Sequence, residues 1–104
     1  MPVKHLRFGK GFKVALSNRR GQAATMVIAP GKSEGGPDNR HRGSDQWLYV
    51  VAGEGNLRIG TNDQRITAGT FSSIPHAIAH ALLPTGRNPL IVISVLSGPP
   101  CAPK

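Results

Sequence analysis

Asn39-Arg40-His41-Arg42-Gly43-Ser44-Asp45-Gln46-Trp47-Leu48-Tyr49-Val50-Val51-Ala52-Gly53 is the stretch from which the rest of the chain is read. Asn39 and His41 are two residues apart, so in a strand both side chains leave the same face. Arg42-Gly43-Ser44-Asp45 has the composition of a tight turn. Beyond it, Gln46, Leu48, Val50 and Ala52 share one strand face, while Trp47, Tyr49 and Val51 share the other. Folding the turn brings Gln46 back beside His41. A later segment, Ile74-Pro75-His76-Ala77-Ile78-Ala79-His80, supplies further imidazoles that can close a cluster. The pattern predicts a small β-barrel with a polar pocket inside it.

The flanking sequence agrees with that reading. Residues 12–16 and 23–29 have strand character, and Ser17-Asn18-Arg19-Arg20-Gly21 reads as the turn between them. A loop over 30–38, rich in glycine and proline, leads into the strand of Asn39 and His41. Further strands are expected over 56–59, 64–67, 70–74, 78–83 and 90–96, with turns at 60–63, 68–69 and 84–89. No ten-residue stretch shows a helical period. Thirteen glycines and nine prolines in 104 residues favour many short strands over long helices. That length supports one domain with one core, expected over about 23–96. Residues 1–22 form a basic N-terminal strand region, and the proline-rich tail 97–104 is expected to be a loose end or an arm laid on a neighbour.

The N-terminus lacks the apolar core of a signal peptide, and the longest aliphatic run, residues 90–93, is far too short to cross a bilayer. Cys101 is the single cysteine, which excludes an internal disulfide. A soluble, cytoplasmic protein without a membrane partner is the expectation. The net charge of +8 is placed unevenly. Lys4, Arg7, Lys10, Lys13, Arg19, Arg20 and Lys32 all precede the first acid, Glu34, and the last acid is Asp63. A basic end containing Phe8 and Phe12 has the chemistry to contact nucleic acid through phosphates and stacking. No recognisable nucleic-acid motif accompanies the charge, so a solvated surface that discourages edge-strand pairing ranks above it.

The spacing of these residues resembles the cupin superfamily, a small all-β jelly-roll barrel also called a double-stranded β-helix. Its first motif runs Gly, five residues, His, one residue, His, three or four residues, Glu, six residues, Gly. His41, Gln46 and Gly53 stand at the second histidine, the glutamate and the last glycine. Asn39 replaces the first histidine, and Ser33 falls where the leading glycine belongs. The second motif runs Gly, five residues, Pro, one residue, Gly, two residues, His, three residues, Asn. Gly69, Pro75 and His80 match it, with Ala77 in place of glycine and Pro84 in place of asparagine.

The resemblance implies a divalent metal, such as iron, manganese, nickel or zinc, with Asn39, His41, Gln46 and His80 as its ligands. Two imidazoles suit such a metal. The two amides offer only neutral carbonyl oxygens, so no protein carboxylate offsets the metal's charge. Affinity is therefore expected to be lower than in a complete site, and an anionic ligand is expected to complete the shell. A pocket without metal stays open as an alternative, with His41 bonded to Gln46 and His80 bonded to Asn39. His76 is expected at the pocket rim, Asp45 pointing away from Gln46, and His5 on the surface.

Trp47, Tyr49 and Val51 face away from Gln46 and need cover, either from the N-terminal segment or from a second subunit. A homodimer is expected, as in other small cupins. Some relatives epimerise nucleotide sugars with a histidine and a tyrosine, but Tyr49, the only tyrosine, points outward here. Three functions remain open on the sequence. One is a metal-dependent enzyme of dioxygenase, isomerase or lyase type acting on a small polar or carboxylate molecule. The second is a non-catalytic small-molecule binding or sensing module, and the third a basic nucleic-acid binder.

Overall fold

The computed structural model describes residues 3–36, 45–75 and 78–97. Among them the regular elements are all strands: β1 (Gly11–Asn18), β2 (Gly21–Ile28), β3 (Glu34–Gly36), β4 (Asp45–Ala52), β5 (Glu54–Ile59), β6 (Asn62–Thr67), β7 (Phe71–Ile74), β8 (His80–Pro84) and β9 (Leu90–Ser97). They form a five-stranded sheet ordered β1-β2-β9-β4-β7 and a four-stranded sheet ordered β3-β8-β5-β6. Every strand pair is antiparallel. From β2 onward, each connection except the β5–β6 hairpin passes from one sheet to the other. That alternation is the jelly-roll path, and it rolls the two sheets around a single interior.

The period of two along each strand decides what fills that interior. Leu48 and Val50 of β4, Leu57 of β5, Leu82 of β8 and Leu90 and Val92 of β9 are almost completely buried, with Met26, Ile28, Ile66 and Ile74 in the same cluster. Burying each aliphatic side chain is worth about 1.5–3 kcal/mol, so this cluster holds the sheets together. Corners are set by local chemistry. The Asn18 side-chain oxygen accepts the N–H groups of Arg20 (2.8 Å) and Gly21 (3.0 Å), closing the β1–β2 hairpin. At the crossing from β4 to β5, Gly53 has φ 90°, and a Cβ there would strike the Pro89 carbonyl. Only glycine combines that backbone with that contact.

Several boundaries differ from those expected from sequence. The loop over 30–38 contains β3, whose residues Glu34, Gly35 and Gly36 pair with Leu82, Ala81 and His80. Its two glycines carry no β-forming side chain, so local propensity gives no sign of a strand that only pairing creates. The turn at 60–63 shrinks to Gly60-Thr61, because Asn62 and Asp63 already pair with Ile59 and Arg58. Glu54 and Gly55 belong to β5, and the strand expected at 78–83 starts at His80 and runs through Pro84. The strand expected around Asn39 and His41, and the turn over 42–44, lie outside the described residues.

The N-terminal segment also departs from one expectation. Residues 4–7 lie against Lys13, Val14, Ala15 and Thr25 at the β1–β2 end of the five-stranded sheet. Trp47 and Tyr49 remain 43% and 41% exposed, so this segment is not the cover for that aromatic face. Among the described residues, no helix is long and apolar enough to cross a membrane.

Candidate functional site

Gln46 opens the inward face of β4, ahead of Leu48 and Val50, and only 6% of it is exposed. Its strand neighbours are Ile74, the last residue of β7, and Leu96 of β9. His80 opens β8 with the inward parity of Leu82 and is 5% exposed. Its neighbours are Ile59 and Gly36, the last residues of β5 and β3. Both polar side chains therefore stand at the barrel end where β3, β5 and β7 finish and β4 and β8 begin. They enter it from opposite sheets.

Gln46 is held at one end of its amide. Its Nε2 donates to the Ser94 hydroxyl at 2.7 Å, and Ser94 is itself 3% exposed. Its Oε1 is buried with no hydrogen-bond partner among the described residues. A buried carbonyl oxygen without a donor costs about 1–3 kcal/mol, so it has reason to face a donor or a cation. At His80, Nδ1 lies 3.4 Å from the Ile78 carbonyl oxygen. The carbonyl can only accept, so any hydrogen bond at this contact is donated by the imidazole.

The residues present suit a divalent cation on these grounds: a buried amide oxygen in need of a positive partner and an imidazole at the same end of the barrel. Asn39, His41 and His76 lie outside the described residues. Among the described residues no three His, Cys, Asp or Glu side chains gather, and Gln46 is of none of these types. Asp45 is half-buried next to Gln46 and opens β4 on its opposite parity. Tyr49 is exposed on the outer face, as the alternation predicts, and His5 is exposed near the N-terminus.

Ser94 was not among the residues that the sequence singled out, because 90–96 stood there only as an expected strand. Its signal lies in the strand Leu-Ile-Val-Ile-Ser-Val-Leu-Ser, where a serine takes an inward place between Val92 and Leu96. A polar residue on a core-facing parity needs a partner inside.

A second cleft, about 420 Å³ in volume, lies on the outer face of the four-stranded sheet, among Asn56, Arg58, Asp63, Ala81 and Leu83, and reaches the edge of His80. Its charges neutralise each other. Arg58 donates to Asp63 through Nε (2.8 Å) and Nη2 (3.0 Å). The hydrogen bond to Arg58 holds the Asp63 carboxyl below its ordinary range, and the same bond raises Arg58. This exposed pair closes the β5–β6 hairpin and leaves the outer cleft without a net charge from either residue.

Two sheets joined by alternating crossings, with polar groups turned inward at one end, define a β-barrel of the jelly-roll class. Residues 24–96 match the cupin domain family, and the chain belongs to it. No functionally curated protein matches the sequence. Solved structures extend the likeness to the whole barrel. A protein of Thermus thermophilus, 20% identical, superposes with a TM-score of 0.81 over 96% of this chain and 100% of its own. A predicted oxalate decarboxylase of Thermotoga maritima, 26% identical, gives 0.75 over 83% of this chain and 77% of its own. A candidate sugar phosphate isomerase of Acidithiobacillus ferrooxidans, also 26% identical, gives 0.66 over 76% of this chain but only 51% of its own.

Proposed function

We propose that this cupin binds a divalent metal at the end of its barrel and uses it to hold a small oxygen-rich anion, with decarboxylase, isomerase or oxygenase chemistry as its activity. The observation that carries the reading is the Gln46 amide, tied through Nε2 to Ser94 while its buried Oε1 lacks a partner among the described residues. Gln46 and His80 are the described ligands, and Asn39 and His41 are the remaining members of the set. A bound metal would polarise a carboxylate or carbonyl oxygen of the substrate.

The protein's own residues support an anionic substrate. Gln46 and His80 are both neutral donors, so charge balance falls to the incoming molecule, and an anion is preferred over a neutral sugar. Ser94 anchors the amide at Nε2 and leaves Oε1 for the centre. Ile74, Leu96 and Ile59 neighbour the two ligands in the sheets and supply an apolar wall that limits water there. The two 26%-identical structures, one a predicted oxalate decarboxylase and one a candidate sugar phosphate isomerase, support a small, oxygen-rich anionic substrate. The test is metal content of the purified chain against His80→Ala and Gln46→Leu, followed by turnover of small dicarboxylates and phosphorylated sugars. Equal metal content in all three proteins overturns the reading.

A second copy of the chain is the proposed partner. The outer face of the five-stranded sheet carries Trp47, Tyr49, Phe71 and Val95, all exposed. Phe71 packs edge-on against Trp47 (centroids 6.4 Å apart) and Tyr49 (5.9 Å). In a chain of net charge +8, this uncharged aromatic face is where two copies can meet with least repulsion.

A further inference from the structure

The N-terminal segment builds a second polar feature, remote in sequence from Gln46 and His80. Lys4, His5, Leu6 and Arg7 enclose a cleft of about 310 Å³ together with Lys13, Val14 and Ala15 of β1 and Thr25 of β2. Three local devices shape it. Gly9 donates its N–H to the Arg7 carbonyl (3.2 Å), a three-residue turn that bends the segment back. A β-bulge between Val14 and Leu16 leaves Ala15 outside the ladder and re-aims the strand beside the cleft. Lys13 is paired in register with Thr25, and its Nζ would lie 2.8 Å from a Cβ at Gly9, so the bare glycine leaves space for the ammonium.

The electrostatics of this cleft are one-sided. Lys4, Arg7 and Lys13 line it, and no carboxylate does. Among the described residues the ion pairs are Arg58 with Asp63 and Arg65 with Glu54, neither of them here. Thr25 lies 97% covered at the cleft wall and contributes a hydroxyl, although it stands on a strand where an apolar residue would fill the space as well. Cations gathered without counter-charge repel one another, and an anion between them relieves that repulsion. Lysine and arginine both bind phosphate oxygens, and three lining cations balance the nearly double charge of a phosphate group better than the single charge of a carboxylate.

From this geometry we infer that the N-terminal cleft is a binding site for the phosphate group of a small phosphorylated molecule. The volume matches the low end of small-molecule pockets. A nucleic-acid track fits less well, because neither Phe8 nor Phe12 lines the cleft and stacking side chains are what single strands require. The inference is independent of a metal in the barrel.

The 104-residue chain at low ionic strength, with chelator present, should be titrated with inorganic phosphate and with pyrophosphate by calorimetry and amide NMR. Saturable one-to-one binding is expected, with shifts centred on residues 4–15 and 24–26 and not on Gln46 or His80. Arg7→Ala and Lys13→Ala should each weaken it about tenfold or more. Gly9→Ala should weaken it by displacing the Lys13 ammonium. Arg87→Ala removes the same charge elsewhere and should leave affinity unchanged. Equal losses for Arg87→Ala and Lys13→Ala, absence of saturation, or tighter binding of a single-stranded oligonucleotide with shifts spreading to Arg19 and Arg20 would each overturn the site.

Discussion

Gln46 and Ser94, forty-eight positions apart in sequence, meet inside the barrel through a 2.7 Å hydrogen bond from the amide Nε2 to the hydroxyl Oγ. The bond anchors one end of the amide and leaves the other, the buried Oε1, as the end that can meet a cation. Ser94→Ala removes this restraint and leaves the amide free to turn. Supporting residues of this kind typically change metal affinity by about 10–100-fold, and a loss in that range is expected in a metal titration. The apo fold should weaken by about 1–3 kcal/mol, because the buried Gln46 NH₂ loses its acceptor while little volume is removed. A large stability loss with unchanged metal affinity would show that Ser94 only packs the core.

Gln46→Leu separates the needs of the fold from those of function. It removes a buried oxygen without a partner among the described residues and keeps a similar volume. Metal content should fall while the apo protein keeps its stability or gains about 1 kcal/mol. Gln46→Glu should act in the opposite direction. A buried carboxylate is costly alone, yet it supplies the negative donor that the present site lacks. The metal-free variant should melt below the parent, and added metal should raise its melting temperature more than the parent's. Denaturation with and without metal reads both effects.

Gly53 tests whether the motif glycine is structural. Its φ of 90° is unfavourable for any residue with a Cβ, and the Pro89 carbonyl occupies the place where that Cβ would go. Gly53→Ala therefore combines backbone strain of roughly 1–2 kcal/mol with a clash against β-barrel backbone. A total loss above about 2 kcal/mol is expected in chemical denaturation. Gly69→Ala is the control. Its φ is 93°, but nothing lies within 4 Å of the added carbon, so only the backbone strain should cost stability.

The sequence exposed the parts of this structure that repeat with a period of two. Gln46, Leu48 and Val50 turn inward and Trp47 and Tyr49 outward because alternate side chains of a strand have no other choice. Gly53 and Gly69 could be placed at corners, and both have positive φ. β3 escaped notice because Glu-Gly-Gly has no strand propensity, and its pairing with β8 is a tertiary fact. Motif spacing singled out His80 and Gln46 as residues of the barrel interior, and both side chains are buried. Ser94 was not so marked, because a single serine in a long aliphatic strand acquires meaning only when the fold sets Gln46 opposite it. The N-terminal cleft was likewise hidden. Seven cations in a row of sequence read as a surface, and only the bend at Gly9 gathers some of them around a cavity.

The aromatic face gives the prediction on assembly. Trp47 and Phe71 stand on adjacent strands, with Phe71 68% exposed although it contacts two other rings. Three large rings left this open are unusual for a chain that works alone, and burying them against the same face of a second copy would remove each from water. Sedimentation of the parent should therefore give twice the 11.0 kDa chain mass. Trp47→Lys places a charge at the centre of the contact, where each copy would meet the other's charge or bury it unpaired. It should yield monomer, with the fold retained because the side chain points away from the core. The control is Phe8→Lys, a comparably exposed aromatic in the N-terminal segment, which should leave the dimer intact. A parent that sediments as monomer at all concentrations would assign the face to some other occupant. Dissociation by Phe8→Lys but not by Trp47→Lys would move the contact to the N-terminal segment.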